Sequence, residues 1–268
     1  MFGRHTAMKA EVPAYEVHQF EPRRTRYAVL IPVINEGERL LSQLRRMEFL
    51  AGQADIIVGD GGSSDTSGDP LTLRSFPVRT LLLKTGPGKL SAQLRMLLDY
   101  AVKEGYEGFV FIDGNGKDGV EAIPSFLEAL DQGFDYVQGS RYVVGGEEAN
   151  TPWDRRIGVT LLHAPLISLA ARFRYTDTTN GFRALSRRAV LDPRVQPFRD
   201  IFDTYNLHYY LSVRIPRLGF RVKELPVRRV YPVTGPTPSK IGGFKAKLGI
   251  IKLLMFAVLG RYNPREKK

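Results

Sequence analysis

The chain contains no cysteine. That excludes disulfide bonds, thiolate zinc sites and a cysteine nucleophile. Histidine occurs four times, scattered along the sequence and without the spacing of a zinc site. No apolar run reaches the length of a membrane span; the longest, Leu248 to Gly260, is too short and carries Lys252. The opening residues, MFGRHTAMKAEVPAYEV, lack the apolar core of a signal peptide. These absences lead us to expect a cytoplasmic protein. Internal repeats and low-complexity segments are absent too. Negative charge is scarce: 28 Asp and Glu face 39 Lys and Arg, for a net charge of +11. Such an excess favours polyanions, among them nucleotide diphosphates, anionic lipid and nucleic acid. Aromatic residues are not interleaved with the basic clusters as in a binding module, so nucleic acid is not the expected partner.

What is present is a layered α/β pattern in a chain of 268 residues, 43% of them hydrophobic, enough to bury a sizeable core. Strands are expected at Tyr27–Ile31, Ile56–Val58, Val78–Leu83 and from Phe109, with a further one at Tyr136–Val137. Helical spacing links them at Leu40–Met47, Leu90–Val102 and Ile123–Leu130. The alternation predicts a largely parallel sheet flanked by helices. Residues 1–25, mixed and polar, read as an N-terminal extension; residues 26–235 read as the catalytic domain and 236–268 as a basic C-terminal loop and helix.

The most informative segment is FVFIDGNGKDGVEAIP, Phe109 to Pro124. A buried strand delivers Asp113 into a glycine-rich loop that leads to a helix, which is how an open α/β sheet builds a site at its carboxyl edge. Asp113 and Asn115 are spaced to share one hard cation, Mg²⁺ or Mn²⁺, which would carry a diphosphate. The same residues are ordinary turn formers. Glu36 and Asp60 follow two further strands. In a parallel sheet all three acids would converge on one edge, although Asp60 also suits a helix cap and Glu36 a first helical turn.

In order along the chain, IPVINE (Ile31–Glu36), DGGSSDTS (Asp60–Ser67), DGNGKDG, GSRY (Gly139–Tyr142), TDTTNGFRALSRRAV (Thr176–Val190) and GFRVKELPVRR (Gly219–Arg229) with Ser239–Lys240 resemble the motifs of inverting family 2 glycosyltransferases. They are most similar to the branch that transfers sugars to dolichyl or polyprenyl phosphate. The resemblance implies a GT-A type α/β fold, a nucleotide-sugar donor (GDP- or UDP-linked) and a divalent ion. Carried over, Pro32, Asn35, Glu36 and Asp60 would hold the nucleoside, with Lys89 and Gly114 in the same donor-binding set. Asp113 and Asn115 would face the diphosphate and its metal. Arg141 and Arg183 would lie near phosphate charge, Asp177 on the acceptor side, and Lys240 on a loop closing over the site.

Three departures from the family pattern stand out. Asn115 replaces the second acid of DADGQHDP, Lys117 replaces its Gln, and Gly61 replaces the second Asp of DDGS. Lys117 is therefore placed to stand in partly for a cation against phosphate. The expected acceptor is a polyprenyl phosphate or a saccharide; a saccharide hydroxyl would need a base such as Asp177 or Asp203. The basic, apolar helix expected within Lys240–Arg261 suits either a membrane interface, at the inner face of the plasma membrane, or packing on the protein or on a second subunit. Two other functions stay open: a relative that binds nucleotide sugar without turnover, for which Asn115 speaks, and a nucleotidyltransferase, against which PVINEGERL speaks.

Overall fold

The segment YAVLIPV is apolar throughout, and all of it is buried as the strand Tyr27–Val33 at the centre of the sheet. The computed structural model describes residues 10–232 and 243–264. Its elements run β1 (Tyr15–Gln19), β2 (Tyr27–Val33), α1 (Glu38–Arg45), β3 (Asp55–Asp60), α2 (Pro70–Leu73), β4 (Val78–Lys84), α3 (Leu90–Lys103) and β5 (Gly108–Phe111). They continue with α4 (Ile123–Asp131), β6 (Tyr136–Ser140), β7 (Glu147–Ala149), α5 (Trp153–Ile157), α6 (Ala164–Ala171), β8 (Arg183–Ser186) and α7 (Arg187–Leu191). The last are α8 (Asn206–Arg217), β9 (Val222–Pro226), β10 (Arg228–Val230) and α9 (Gly243–Val258).

Eight strands form one sheet in the order β1-β4-β3-β2-β5-β8-β6-β9. β2, β3, β4 and β5 run parallel, β1 and β8 run against them, and β6 and β9 are parallel to each other. The expected α/β fold with a mostly parallel sheet is what the chain adopts. Part of the polar stretch expected as an N-terminal extension supplies β1, an edge strand on β4.

Alternation of side chains along the strands divides the interior into two apolar layers. Ala28, Leu30, Ile57, Phe109 and Phe111 point to the face covered by α3, α6, α8 and α9. Val29, Ile31, Val58, Val110 and Ile112 point to the face covered by α1 and α4. Pro32 is tolerated in this central strand because β5 ends beside it. The last β5 pair is Leu30 with Phe111, and Ile112 N–H still reaches Leu30 O at 3.2 Å. The missing N–H of Pro32 thus costs no ladder bond.

α3 lies directly on β3 at Gly59, where a Cβ would stand 2.7 Å from Leu97 Cγ. Gly59→Ala is expected to lower stability by about 1–3 kcal/mol through overpacking, measured by urea unfolding. An unchanged midpoint would show that α3 is not seated as described.

Candidate active site

The carboxyl ends of β2, β3, β4 and β5 share one edge, and the loops that leave them are stitched together. Asn35, with φ 52°, turns the chain out of β2. Its amide N–H donates to Ser63 Oγ at 2.8 Å, and its Oδ1 accepts from Ser64 N–H at 2.8 Å. The N–H groups of Glu36 and Gly37 both donate to Ser67 Oγ, at 2.9 and 2.8 Å. Glu36 pairs with Arg39 at 2.9 Å. Asp60 is buried, and its carboxylate accepts from the N–H groups of Gly62 and Ser63 and from Ser63 Oγ. Asp60 therefore shapes its own turn and presents no free carboxylate at the rim. Lys89 is exposed at the start of α3, where its N–H donates to the Asp203 backbone oxygen at 3.2 Å. Two glutamines not singled out in the sequence set this geometry. Gln93 is buried and its Nε2 donates to Val33 O at 2.8 Å and Gly59 O at 3.1 Å. A Cβ on Gly61 would meet that nitrogen at 2.6 Å, so Gln93 occupies the space an Asp at position 61 would need. Gln43 Oε1 accepts from Gly116 N–H at 2.9 Å.

Asp113 follows β5 on the same edge. Gly114 is required there, because a Cβ would lie 2.4 Å from Val33 Cγ1. The loop 117–119 pairs with β10: Gly119 N–H reaches Arg228 O, and Val230 N–H reaches Lys117 O, both at 2.9 Å. This register sets Arg229 against two acids. Its Nη1 donates to both oxygens of Asp118, at 2.7 and 2.6 Å, and its Nη2 to Asp113 Oδ2 at 3.2 Å. Burial opposes the charge on Asp113, but Arg229 and Lys117 outweigh it and hold the carboxyl below its ordinary range. Burial also lowers the Arg229 pKa, and the two carboxylates more than restore it. Lys117 is buried at the same place, with its Nζ 5.1 Å from the centre of the Tyr231 ring.

Asp113 and Asn115 do come together, with Asn115 Nδ2 donating to Asp113 Oδ2 at 3.3 Å. The amide oxygen of Asn115 accepts from Lys117 N–H at 3.2 Å. Among the described residues no group of three or more His, Cys, Asp or Glu stands where it could hold a metal. One carboxylate and one amide offer a divalent ion few protein ligands, so it would take most of its oxygens from diphosphate and water, with Lys117 and Arg229 opposing its charge.

Beyond this loop, β6 ends in Arg141, whose guanidinium is buried against Asp177. Nε and Nη2 donate to the two carboxylate oxygens at 2.6 and 3.1 Å, and Nη2 also donates to Thr179 Oγ1 at 3.1 Å. Asp177 is fully buried; burial raises its pKa, and the bonds and charge of Arg141 lower it further than that. Arg183, expected near phosphate, lies in the interior instead. It donates to Tyr136 Oη at 2.8 Å and to Asn180 O at 2.5 Å, so it fixes the 177–182 turn rather than lining the cleft. Gly181 in that turn is needed because a Cβ would meet Asp113 Oδ1 at 2.6 Å. Lys240 lies outside the described residues. The group the sequence reading missed is Arg229 with Asp118 and Tyr231. The Tyr231 ring is buried, with Arg155 and Arg229 each 5.8 Å from its centre. Burial raises its pKa, but Arg229, Arg141, Arg155 and Lys117 together draw it below the ordinary value, a mark of strong local positive potential.

The glycosyl transferase family 2 model matches residues 28–192, and the chain belongs to that family. It is 30% identical over 245 residues to a polyprenol monophosphomannose synthase of Mycolicibacterium smegmatis, covering 89% of each chain. It is 26% identical over 240 residues to an undecaprenyl-phosphate mannosyltransferase of Micrococcus luteus, covering 89% of this chain and 96% of that one. The fold matches glucosyl-3-phosphoglycerate synthase from Mycobacterium tuberculosis in complex with Mg²⁺ and uridine diphosphate. The TM-score is 0.60 at 18% identity, over 91% of this chain and 81% of that one. A second structure of that synthase, with Mn²⁺, uridine diphosphate and glucosyl-3-phosphoglycerate, gives 0.58 at 18% identity, over 91% and 82%.

The Asp177 turn also meets a histidine. His163 is buried, its Nδ1 lies 2.6 Å from Thr178 Oγ1, and burial with Arg183 lowers its pKa from 6.5 to about 4. The folded chain thus keeps this ring neutral where the unfolded chain binds a proton. Stability should fall as pH drops from about 6.5 towards 4, with His163 contributing on the order of 2 kcal/mol by pH 5. Urea unfolding at pH 7 and pH 5 tests this: His163→Gln should flatten the dependence, and an unaltered slope would remove the assignment.

Proposed function

We propose that the chain transfers a hexose from a GDP- or UDP-linked donor to a polyprenyl phosphate, with inversion at the anomeric carbon. The carrying observation is the cationic ring around Tyr231, made by Lys117, Arg155 and Arg229 with Arg141 behind them, bordering Asp113. The names of the curated relatives support the acceptor class. In this reading the donor lies along the rim formed by Pro32–Glu36, the Asp60 turn, Lys89 and the Asp113–Lys117 loop. The acceptor phosphate enters from the side of Arg155 and Arg141. An ionised phosphate oxygen attacks the anomeric carbon while the bond to the donor's β-phosphate breaks. The departing nucleoside diphosphate takes the electron pair, and the neighbouring cations stabilise its growing charge.

This acceptor needs no proton removed. That matches a site whose buried carboxylates are engaged: Asp177 is held by Arg141 and Thr179, and Asp118 by Arg229. A saccharide hydroxyl would need a free base, and this arrangement favours it less. Mg²⁺ or Mn²⁺, present with uridine diphosphate in the structural neighbours, enters this proposal only as an accessory met by Asp113 and Asn115. No step is routed through it.

No helix among the described residues is long and apolar enough to cross a membrane. The lipid would then be met at the bilayer surface. α5, a π-helical turn at Gly158–His163 and α6 form one helical rod, and Pro165, with no N–H to donate, follows the widened turn. The rod exposes Trp153, Leu161 and Leu169, at 75, 73 and 79%. α9 packs on α6 and α8 and exposes Leu248 beside Lys252, and the turn after it exposes Leu259 and Arg261. Apolar side chains among cations suit an anionic bilayer surface at the cytoplasmic face.

The test combines binding and transfer. GDP or UDP should raise the melting temperature, and the matching sugar nucleotide should label undecaprenyl phosphate. Asp113→Ala, which releases Arg229 from one of its two anchors, should abolish labelling. Arg155→Ala should raise the KM for undecaprenyl phosphate by about tenfold, the worth of one lost charged contact, and leave the nucleotide shift intact. Labelling of a saccharide but not of the lipid phosphate would overturn the acceptor assignment. Independently, the double variant Leu161→Asp/Leu169→Asp should lose most flotation with vesicles containing phosphatidylglycerol; undiminished flotation would remove the rod from the membrane face.

A further inference from the structure

Taking the donor site proposed above as given, we propose that Lys117 and Arg229 supply the positive charge that grips the donor's diphosphate, so that a nucleoside diphosphate binds this chain without a divalent cation. Compared with the DADGQHDP pattern it resembles, the loop has an amide at Asn115 in place of a carboxylate and an ammonium at Lys117 in place of an amide. Asn115 and, further on, Gly119 each remove a carboxylate, Lys117 adds an ammonium and Asp118 adds a carboxylate where the pattern has His, so the loop gains a net charge of +2, that of one divalent ion.

Geometry puts that charge where it is needed. Lys117 is only 7% exposed; burial, with Arg229, lowers its pKa, while Asp113, Tyr231 and Asp118 oppose that shift and favour its charged form. Arg229 is fixed to Asp113 and Asp118 and to the backbone register of β10 with the loop. Neither cation is a long side chain roaming at the surface, so little ordering entropy opposes their use. Asp113 keeps 27% of its side chain exposed, so the cleft reaches this cluster from solvent. A divalent ion approaching Asp113 would meet two resident cations, which disfavour it. A diphosphate would meet the same cations in a half-dry setting, where charge-assisted hydrogen bonds are strong.

The full chain tests the inference directly. GDP and UDP are titrated by calorimetry or thermal shift in EDTA and, separately, in Mn²⁺ and in Mg²⁺. The expected result is binding in EDTA, within about threefold of the affinity with metal. Lys117→Gln should weaken binding in EDTA by about tenfold or more, the worth of a charged hydrogen bond. Asn115→Asp/Lys117→Gln should bind only when Mn²⁺ is present. Binding by the unaltered chain that requires metal overturns this inference and leaves the proposed function standing. Binding of neither nucleotide under any of these conditions overturns both. The measurement on the unaltered chain does not depend on either variant folding.

Discussion

Arg229 sits between Asp113 and Asp118, enclosed by protein on nearly every side. Burying a guanidinium and two carboxylates costs several kcal/mol per ion unless the geometry repays it. Here the repayment is built into the backbone. β10 pairs with β7 on one side and bridges Asp118 on the other. The arginine is thus presented by its own strand and does not need to search for its acids. Once it is in place, the loop from Asp113 to Asp118 cannot shift without stranding a buried charge. That loop closes the proposed donor rim on one side and, through Lys117 and Tyr231, borders the cationic cluster on the other. Both halves of the site are therefore referenced to a single ion cluster.

The second buried pair, Arg141 with Asp177, extends this frame toward the apolar side of the molecule. Asp177 lies in a turn whose next residue, Thr178, meets His163 of the π-helical turn. That turn belongs to the same rod that exposes Trp153, Leu161 and Leu169. A chain of contacts therefore runs from the exposed apolar helix to Arg141, the guanidinium nearest the proposed acceptor side. The widened turn lets His163 face inward while Leu161 and Leu162 stay outward, which regular spacing at Pro165 would strain. A lipid-linked phosphate has to place its tail and its charge a fixed distance apart. Contact between an apolar rod and a buried arginine is a direct way to set that distance.

Much of the fold was legible in the sequence because it rests on local patterns. YAVLIPV, GFVF and the Ile56–Val58 core of β3 are continuous apolar runs of the kind that buried parallel strands show, and α3 carries its period plainly from Leu90 onward. β1 was not legible: half exposed at an edge, it has no apolar run to mark it. The site was legible where a motif sits at a strand end, as with Asp113 and Asn35. It was not legible where the decisive contact joins residues more than a hundred positions apart. Arg229 stood only at the end of the GFRVKELPVRR segment with no role of its own, since nothing in VRR tells of Asp113 and Asp118. Arg183 read as a phosphate ligand, since its motif does not show that the side chain turns inward to Tyr136 and Asn180. The roles of Gln43 and Gln93 likewise depend on which carbonyls and amides the fold brings to them.

The departures from the family pattern bear on whether the site still works. A decaying site loses groups and leaves their former partners unmatched, because nothing maintains the fit. The positions here do the opposite. Gly61 vacates a space that Gln93 fills, and the Gln93 carboxamide ties the ends of β2 and β3 by bonding Val33 and Gly59. Asn115 gives up a charge, yet its amide still spans Asp113 and the Lys117 N–H. Lys117 enters a pocket already shaped by an aromatic ring and two acids. Gly114 leaves room for Val33, and Gly181 leaves room for the Asp113 carboxylate. These contacts on separate elements hold Asp113 and its loop in one arrangement, as a ligand site requires. They speak for a working donor site with an altered charge plan, and against a relative that has fallen silent.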